Sequence, residues 1–434
     1  MKTNISGFPE YLPSEQLAFN SIIRTIESIY QTYGYVPLET AAVERIDTLT
    51  SKGIDSKEVY ALRRLNAQGD EGDKDIALRF DLTVPMARYV AQNYGSLNFP
   101  YRRYQCQPVW RGERPQLGRY RQFHQFDLDV VAENTLPLTA DAEVIAAAWT
   151  ALKTIIPPGK KFRMKLNNRK FLQGMLECFG FSNSSEQYIA IKIIDDYEKV
   201  NLETTLQKLK ELNPKADGNG LISYLIKPNE EETSKLNLPK LGQEGLTELL
   251  TVKALVKELL NISTQEDADS IIFDFKIARG LDYYTGTVIE TTLLDAPELG
   301  SICSGGRYDN LAASLSDRNL PGVGLSIGIS RLAAWLMDQP PYNSMPATPA
   351  QLIVLGAAAP ALCQHIRKAG IACELALGDK SPGQHFMAAE KRGIKFGIVA
   401  ESPDFATIRT FATRQQAQVE ATGIIPYLQT LLTQ

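Results

Sequence analysis

Between Tyr101 and Arg121 the chain sets six arginines, Arg102, Arg103, Arg111, Arg114, Arg119 and Arg121, against one acid, Glu113. Guanidinium forks match the oxygens of phosphates and carboxylates. Tyr101, Tyr104, Trp110, Tyr120 and Phe123 are interleaved with them and offer faces on which a flat base can stack. Any one of these arginines, taken alone, reads as a solvated surface cation. Together with the turn residues Gly112, Pro115 and Gly118, the cluster reads as a nucleotide or RNA site. Two common nucleotide folds are excluded. No G-x-x-x-x-G-K-[ST] occurs, and Gly322, Gly324 and Gly328 do not fit G-x-G-x-x-G spacing. Five scattered cysteines without a Cys-x-x-Cys pair, and only three histidines, argue against structural zinc.

Such a cluster needs a scaffold. Phe19, Ile22, Ile23, Ile26, Tyr30 and Tyr33 recur at helical spacing, with Ser14 as the expected N-cap and Gly34 as the stop. Ile76 to Phe80 reads as a strand running into Asp81–Pro85, followed by a helix through Met86 to Asn93. Pro100 to Val131 reads as two antiparallel strands joined by a long loop. From Asn168 to about Asn261 the pattern turns helical and Lys/Glu-rich. Strands are expected again at Ser270 to Phe275, Thr287 to Thr292 and Val323 to Gly328, before a helix through Arg331 to Met337. After the turn-prone Pro340–Pro349, short strands at Leu352–Leu355, Ala372–Leu377 and Phe396–Val399 alternate with helices, the pattern of a small α/β domain.

The chain's 434 residues exceed one hydrophobic core and imply two to three domains. With 44% hydrophobic and 22% charged residues it has the composition of a folded globular protein. A net charge of −4 argues against a surface that grips nucleic acid everywhere, so contact with RNA must use local patches. Met1 to Glu10 has no apolar core and no run reaches spanning length, so a cytoplasmic protein without membrane contact is expected.

RGERPQLGRYRQFHQFDLD, Arg111 to Asp129, resembles motif 2 of class II aminoacyl-tRNA synthetases in its histidine-specific form. RGLDYYTG, Arg279 to Gly286, resembles the segment peculiar to histidyl-tRNA synthetases. LRFDLT (Leu78–Thr83), GGRYD (Gly305–Asp309) and GLSIGISRL (Gly324–Leu332), similar to motif 3, follow in the family's order over almost the whole chain. The resemblance implies an α+β fold, with a six-stranded antiparallel class II catalytic sheet carrying a helical insertion and a C-terminal α/β anticodon-binding domain. The implied boundaries are 1–168 and 262–339 for the catalytic domain, 169–261 for the insertion, 340–349 for a linker and 350–434 for the terminal domain.

The resemblance also implies roles. Arg111 and Arg279 would be catalytic, each holding the ATP α-phosphate and the histidine carboxylate. Glu113 would read the adenine amino group, Phe123 would stack on the adenine, and Arg331 would hold the far phosphates, with Arg119 also at the ATP site. Asp81, Leu82, Thr83 and Gln125 would surround the α-amino group, and Asp129, Tyr283, Tyr284 and Tyr308 the imidazole. Residue chemistry agrees, because an ammonium needs a carboxylate and neutral acceptors, and an imidazole needs oriented donors and acceptors. ATP with substrate-associated Mg²⁺, histidine, tRNA(His) and a second copy of the chain are the implied partners, with no protein-held metal. Ala41 stands where motif 1 usually carries a proline, and Ser330 where an acid commonly precedes the motif 3 arginine.

Two rivals remain in view. A regulatory subunit of ATP phosphoribosyltransferase, a histidine-binding relative, typically lacks the terminal domain and erodes the ATP-binding arginines, which are present here. A pure RNA-binding module sits poorly with the acidic charge and the amino-acid pocket.

Overall fold

The computed structural model describes residues 4–50, 56–65, 75–116, 118–197, 200–226, 236–277, 284–309 and 317–433. They divide into two compact units, one formed by the chain up to Pro9 with Ile23–Trp335, the other by Glu10–Ile22 with Leu336–Gln434.

The first unit is built on strands β1 (Val36–Pro37), β2 (Val43–Arg45), β3 (Ile76–Leu78), β4 (Tyr101–Trp110), β5 (Gln122–Val131), β6 (Phe162–Asn168), β7 (Ile271–Phe273), β8 (Thr287–Leu293), β9 (Ser301–Tyr308) and β10 (Gly322–Ile327). Eight of them form one sheet in the order β1-β4-β5-β10-β9-β8-β6-β7, while β2 and β3 pair separately. The expected six antiparallel strands run from β4 to β6. The count is eight because β1 and β7 add short parallel edges.

Alternation along β5 sends Phe126, Leu128 and Val130 into the core. There Phe126 meets the Tyr30 ring edge-on at 5.3 Å. The helix Leu138–Ile155 packs on the sheet and buries almost its whole circumference, which explains its alanine-rich middle. The other face of β5 carries the polar residues Phe123's neighbours Gln125, Asp127 and Asp129. Helices Arg169–Cys178, Ser184–Asp195 and Leu202–Leu212 then start on Asn168, Asn183 and Asn201, whose side chains accept backbone N–H groups of the first turn. Helix Gly218–Ile226 and the long helix Lys240–Leu259 complete the helical stretch.

In the second unit β11 (Leu352–Leu355), β12 (Cys373–Leu375), β13 (Phe396–Val399), β14 (Phe405–Thr410) and β15 (Gln416–Glu420) form a sheet in the order β12-β11-β13-β14-β15. Its first three strands are parallel, and β14 and β15 add an antiparallel extension. One core lies among Leu352, Val354, Ile366, Ile398, Ile408 and Leu428, a second around Ile353, Phe386, Ala389 and Phe411. Among the described residues no helix is long and apolar enough to cross a membrane.

Two local expectations are corrected. The first helix begins at Pro13, which places Ser14 inside its first turn, and the side chain of Glu15 accepts the Leu12 N–H at 2.7 Å. Strands β6, β9, β14 and β15, none of them expected, complete the two sheets.

Candidate active site

The polar face of the large sheet is organised in rows. Backbone register sets Arg103 of β4 opposite Asp129 of β5, and Asp129 opposite Gly324 of β10, which faces Gly306 of β9. The next row runs Gln105, Asp127, Ser326 and Ser304, and continues to Glu290 of β8 and Lys165 of β6. Side chains in one row share a face because the strand period is two.

Glycine makes room for the larger members. A Cβ on Gly324 would lie 1.9 Å from Asp129 Oδ1, and one on Gly322 would lie 2.3 Å from the Tyr308 ring. The ring of Tyr284 lies 3.0 Å from where a Gly306 Cβ would stand. Asp129, Tyr308 and Tyr284 thus occupy space that any other residue on the neighbouring strands would fill.

Charge at this floor is confined. Arg103 is fully buried, with Nη2 2.6 Å from Asp129 and 3.7 Å from Asp127, and it donates from Nη1 to Gln105 at 3.0 Å. The Tyr308 hydroxyl donates to Asp129 at 3.1 Å. Burial raises the pKa of Asp81, an effect opposed by the Val84 N–H and by Arg111 and Arg103. Burial likewise raises Asp129, against Arg103 and the Tyr308 hydroxyl. Asp127 is pushed up to about 7 by burial, with Arg103 opposing and Asp129 adding to the rise.

A pH dependence follows. The folded chain holds a proton on Asp127 that the unfolded chain releases near pH 3.8. The associated stability is fully present below that value and is lost as the pH rises through about 7. The expected slope is roughly 1 kcal/mol per pH unit across the window. Urea unfolding at pH 5 and pH 8 should show the decline in the parent and a flatter response in Asp127→Asn. Equal slopes would remove Asp127 as the titrating group.

Beside this floor opens a pocket of 240 Å³ lined by Arg111, Glu113, Arg119, Phe123, Gln125, Ser326 and Arg331, among others. Arg111 lies against two rings, 4.4 Å from the Phe80 centroid and 5.1 Å from that of Phe123, and its Nε donates to the Phe80 carbonyl at 3.2 Å. Glu113 lies 3.8 Å from Arg111 and 3.6 Å from Arg119. Arg331 donates to the carbonyls of Gly118 at 3.0 Å and Ser301 at 2.6 Å. Three cations, Arg111, Arg119 and Arg331, line the pocket, and a nucleotide's phosphates need such charges. A larger cleft of 610 Å³ near Trp149 is also rich in lysine. Its Lys153, Lys160 and Lys161 already face Asp267, Asp295 and Glu266 at 2.8, 3.3 and 3.7 Å, so the smaller pocket is the better anion site.

A family model described as Histidyl-tRNA synthetase matches residues 7–332, and one described as Anticodon binding domain matches residues 351–431. The chain belongs to the histidyl-tRNA synthetase family. It is 39% identical to a histidine–tRNA ligase of Micrococcus luteus, over 91% of this chain and 89% of that one. A histidine–tRNA ligase of Stenotrophomonas maltophilia is 36% identical, over 99% and 97% of the two chains. The crystal structure of histidyl-tRNA synthetase from Nostoc sp. PCC 7120 superposes with a TM-score of 0.85 at 32% identity, covering 99% of each chain.

Within this histidyl-tRNA synthetase fold the structure brings Arg111, Glu113, Arg119, Phe123, Gln125 and Arg331 to one pocket. Asp129 and Tyr308 meet at the glycine-lined floor, and Tyr284 stands beside it. Asp81 accepts the Val84 N–H at 3.1 Å and so stands at the start of the helix Thr83–Gln92, whose first residue is Thr83. Leu82 is fully buried, as a core residue. Arg279 and Tyr283 lie outside the described residues. His124 alternates away from Phe123 and Gln125, and burial with the nearby Arg79 lowers its pKa.

Both positions that depart from the family motifs carry local hydrogen-bonded ties. Ser330, buried, accepts the His124 backbone N–H at 2.8 Å and ties the motif 3 helix to β5. The segment holding Ala41 is fastened by Arg79, which donates to the carbonyls of Thr40, Ala41 and Pro108. Sequence reasoning placed Arg103 in the arginine cluster rather than at this floor, and missed Asp127, Ser326 and Ser304. For Asp127 the signal was the alternation in FDLD, which puts both aspartates on one face.

Proposed function

We propose that this chain is an ATP-dependent histidine–tRNA ligase, which activates histidine as histidyl-adenylate and transfers it to the 3′ end of tRNA(His). The observation that carries this reading is the adjacency of a cation-lined pocket to a buried, glycine-relieved carboxylate floor. One end suits phosphates and adenine, the other a small cationic amino acid. In the first step the histidine carboxylate attacks the α-phosphorus and pyrophosphate leaves. In the second the terminal ribose hydroxyl attacks the activated carbonyl, the mixed-anhydride bond breaks and AMP leaves.

Arg111 and Arg279 hold the α-phosphate and the carboxylate through this exchange. Phe123 stacks on adenine, Glu113 accepts from its amino group, and Arg331 and Arg119 meet the far phosphates. Asp81, Thr83 and Gln125, with the backbone at Leu82, receive the ammonium, and Asp129, Tyr283, Tyr284 and Tyr308 enclose the imidazole. Mg²⁺ travels with ATP. Glu113 is the only carboxylate among the described residues lining the pocket, and two arginines flank it, so the phosphates are the ion's main ligands.

Residues 1–168 and 262–339 supply the catalytic domain, 169–261 the insertion, 340–349 the linker and 350–434 the anticodon-binding domain, in a cytoplasmic enzyme. The regulatory-subunit reading is disfavoured by the retained arginines and the terminal domain. Charging of purified tRNA with each amino acid in turn tests the proposal, and histidine alone is expected to give product. Charging with another amino acid, or with none, would overturn it.

The chain is proposed to act as a homodimer, since Leu17, Ile23 and Ile29 remain only half-buried along the first helix. Sedimentation at assay concentration is expected to give twice the chain mass. A fully active monomer would refute the dimer.

A further inference from the structure

We propose that Asp127 is a positioning residue that, through Ser326, turns the Gln125 side-chain amide so that its oxygen faces the substrate's α-ammonium group. This rests on the histidine-activating function proposed above.

Gln125 Nε2 donates to Ser326 Oγ at 2.8 Å, while Gln125 Oε1 is buried and has no protein partner. Both residues line the nucleotide pocket. Ser326 is cross-strand to Asp127 on the same face and lowers its pKa, and Asp127 Oδ1 is buried as an acceptor without a hydrogen-bond partner. A serine hydroxyl has a single proton. When that proton goes to Asp127, only the lone pairs of Oγ are left for Gln125. They select the amide's N–H₂ end, and the opposite end, the carbonyl oxygen, is presented as an acceptor. A Ser326 that donated to Gln125 would reverse the amide and aim two N–H donors at a cation. Amide orientation is set by the hydrogen-bond network around it, and here the network ends on a carboxylate buried to 2% exposure.

The relay therefore needs Asp127 as acceptor. A protonated Asp127 can donate to Ser326 instead, which frees Ser326 to turn its own proton toward Gln125. Arg103 and Asp129 face Asp127 most closely, and Asp81, Tyr308, Tyr30, Cys106 and Cys303 also feel its charge. The tyrosines and cysteines stay neutral through pH 6 to 8, because burial raises all of them, Cys303 to about 12.

The test compares histidine with 3-(imidazol-4-yl)propionate, which keeps the imidazole and carboxylate and lacks the ammonium. The KM for histidine in pyrophosphate exchange and the Ki of the propionate are measured in the parent, Ser326→Ala, Asp127→Ala and the double variant. Ser326→Ala and Asp127→Ala are each expected to raise the histidine KM roughly 10- to 100-fold, with the Ki nearly constant. The double variant should be no worse than Ser326→Ala alone. Parallel weakening of both ligands, or additive effects in the double variant, would overturn the relay. Should Asp127→Ala not fold, the pH profile decides. The ratio of Ki to KM is expected to fall in the parent between pH 8 and 6, and to stay flat in Asp127→Asn, which keeps an acceptor oxygen. A flat parent ratio overturns the proposal. Absence of any histidine-dependent exchange in the parent would instead reject the function on which it rests.

Discussion

Arg111→Lys is expected to slow histidine-dependent pyrophosphate exchange by about 10²- to 10³-fold, close to the loss in Arg111→Ala. The guanidinium plane lies against Phe80 and Phe123, and its Nε is committed to the Phe80 carbonyl. Its remaining donors point from a fixed plane, able to meet a phosphate oxygen and a carboxylate together. Lysine keeps the charge but loses the plane, the stacking and the fork. Because the attacking carboxylate and the α-phosphate are both anions, the benefit grows as they approach, and the loss should fall on turnover more than on histidine affinity. Arg279→Lys is expected to behave alike from its place in the family motif. Exchange within about threefold of the parent in Arg111→Lys would mean that charge alone suffices.

Arg103→Met is expected to cost about 3–5 kcal/mol of folding stability. Arg103 is the only cation the structure places within 4 Å of both Asp127 and Asp129 among the described residues, and its side chain has no exposure. Methionine fills the volume and leaves two buried carboxyls facing each other. They can escape only by binding protons, so the loss should be greater at pH 8 than at pH 5. Adding Asp129→Asn should restore part of the stability. Urea unfolding of the three proteins at both pH values measures this. A loss below about 1 kcal/mol at pH 8 would show that the aspartates need no counter-charge.

The catalytic fold was legible where strand and helix periods were clean. The hairpin of β4 and β5 and the alternation that turns His124 away were readable from residue types. β9 was not recognised as a strand, because SICSGGRY is rich in small residues that favour other conformations. Among those small residues Gly306 leaves room for the Tyr284 ring. β6 carried a readable signal, with Phe162, Met164 and Leu166 alternating against Arg163 and Lys165. β15 is an edge strand and β14 its neighbour, both with much polar surface, so no clean apolar alternation marks them.

The site residues divide in the same way. Arg111, Glu113 and Arg331 stand out in their motifs. Arg103 reads as one more surface arginine until the register places it against Asp129. Its partner on β5 is 26 residues away in the chain, and local sequence contains no trace of such a pairing.

With the imidazole placed among Asp129, Tyr284 and Tyr308 as proposed, the glycines at 306, 322 and 324 bear on how this enzyme could change its substrate. A wall made of glycine can only be thickened, since every substitution there adds atoms where Asp129, Tyr308 or Tyr284 already stands. Selection for a bulkier amino acid therefore has no productive move on β10. It must shorten a side chain that leans into the space, and Asp129 and Tyr308 are tied to each other and to Arg103. The first mutation on such a route strands a buried charge or hydroxyl before any new substrate fits. Loss of histidine would precede gain of anything else, so drift of specificity is blocked by the order in which the steps would have to occur.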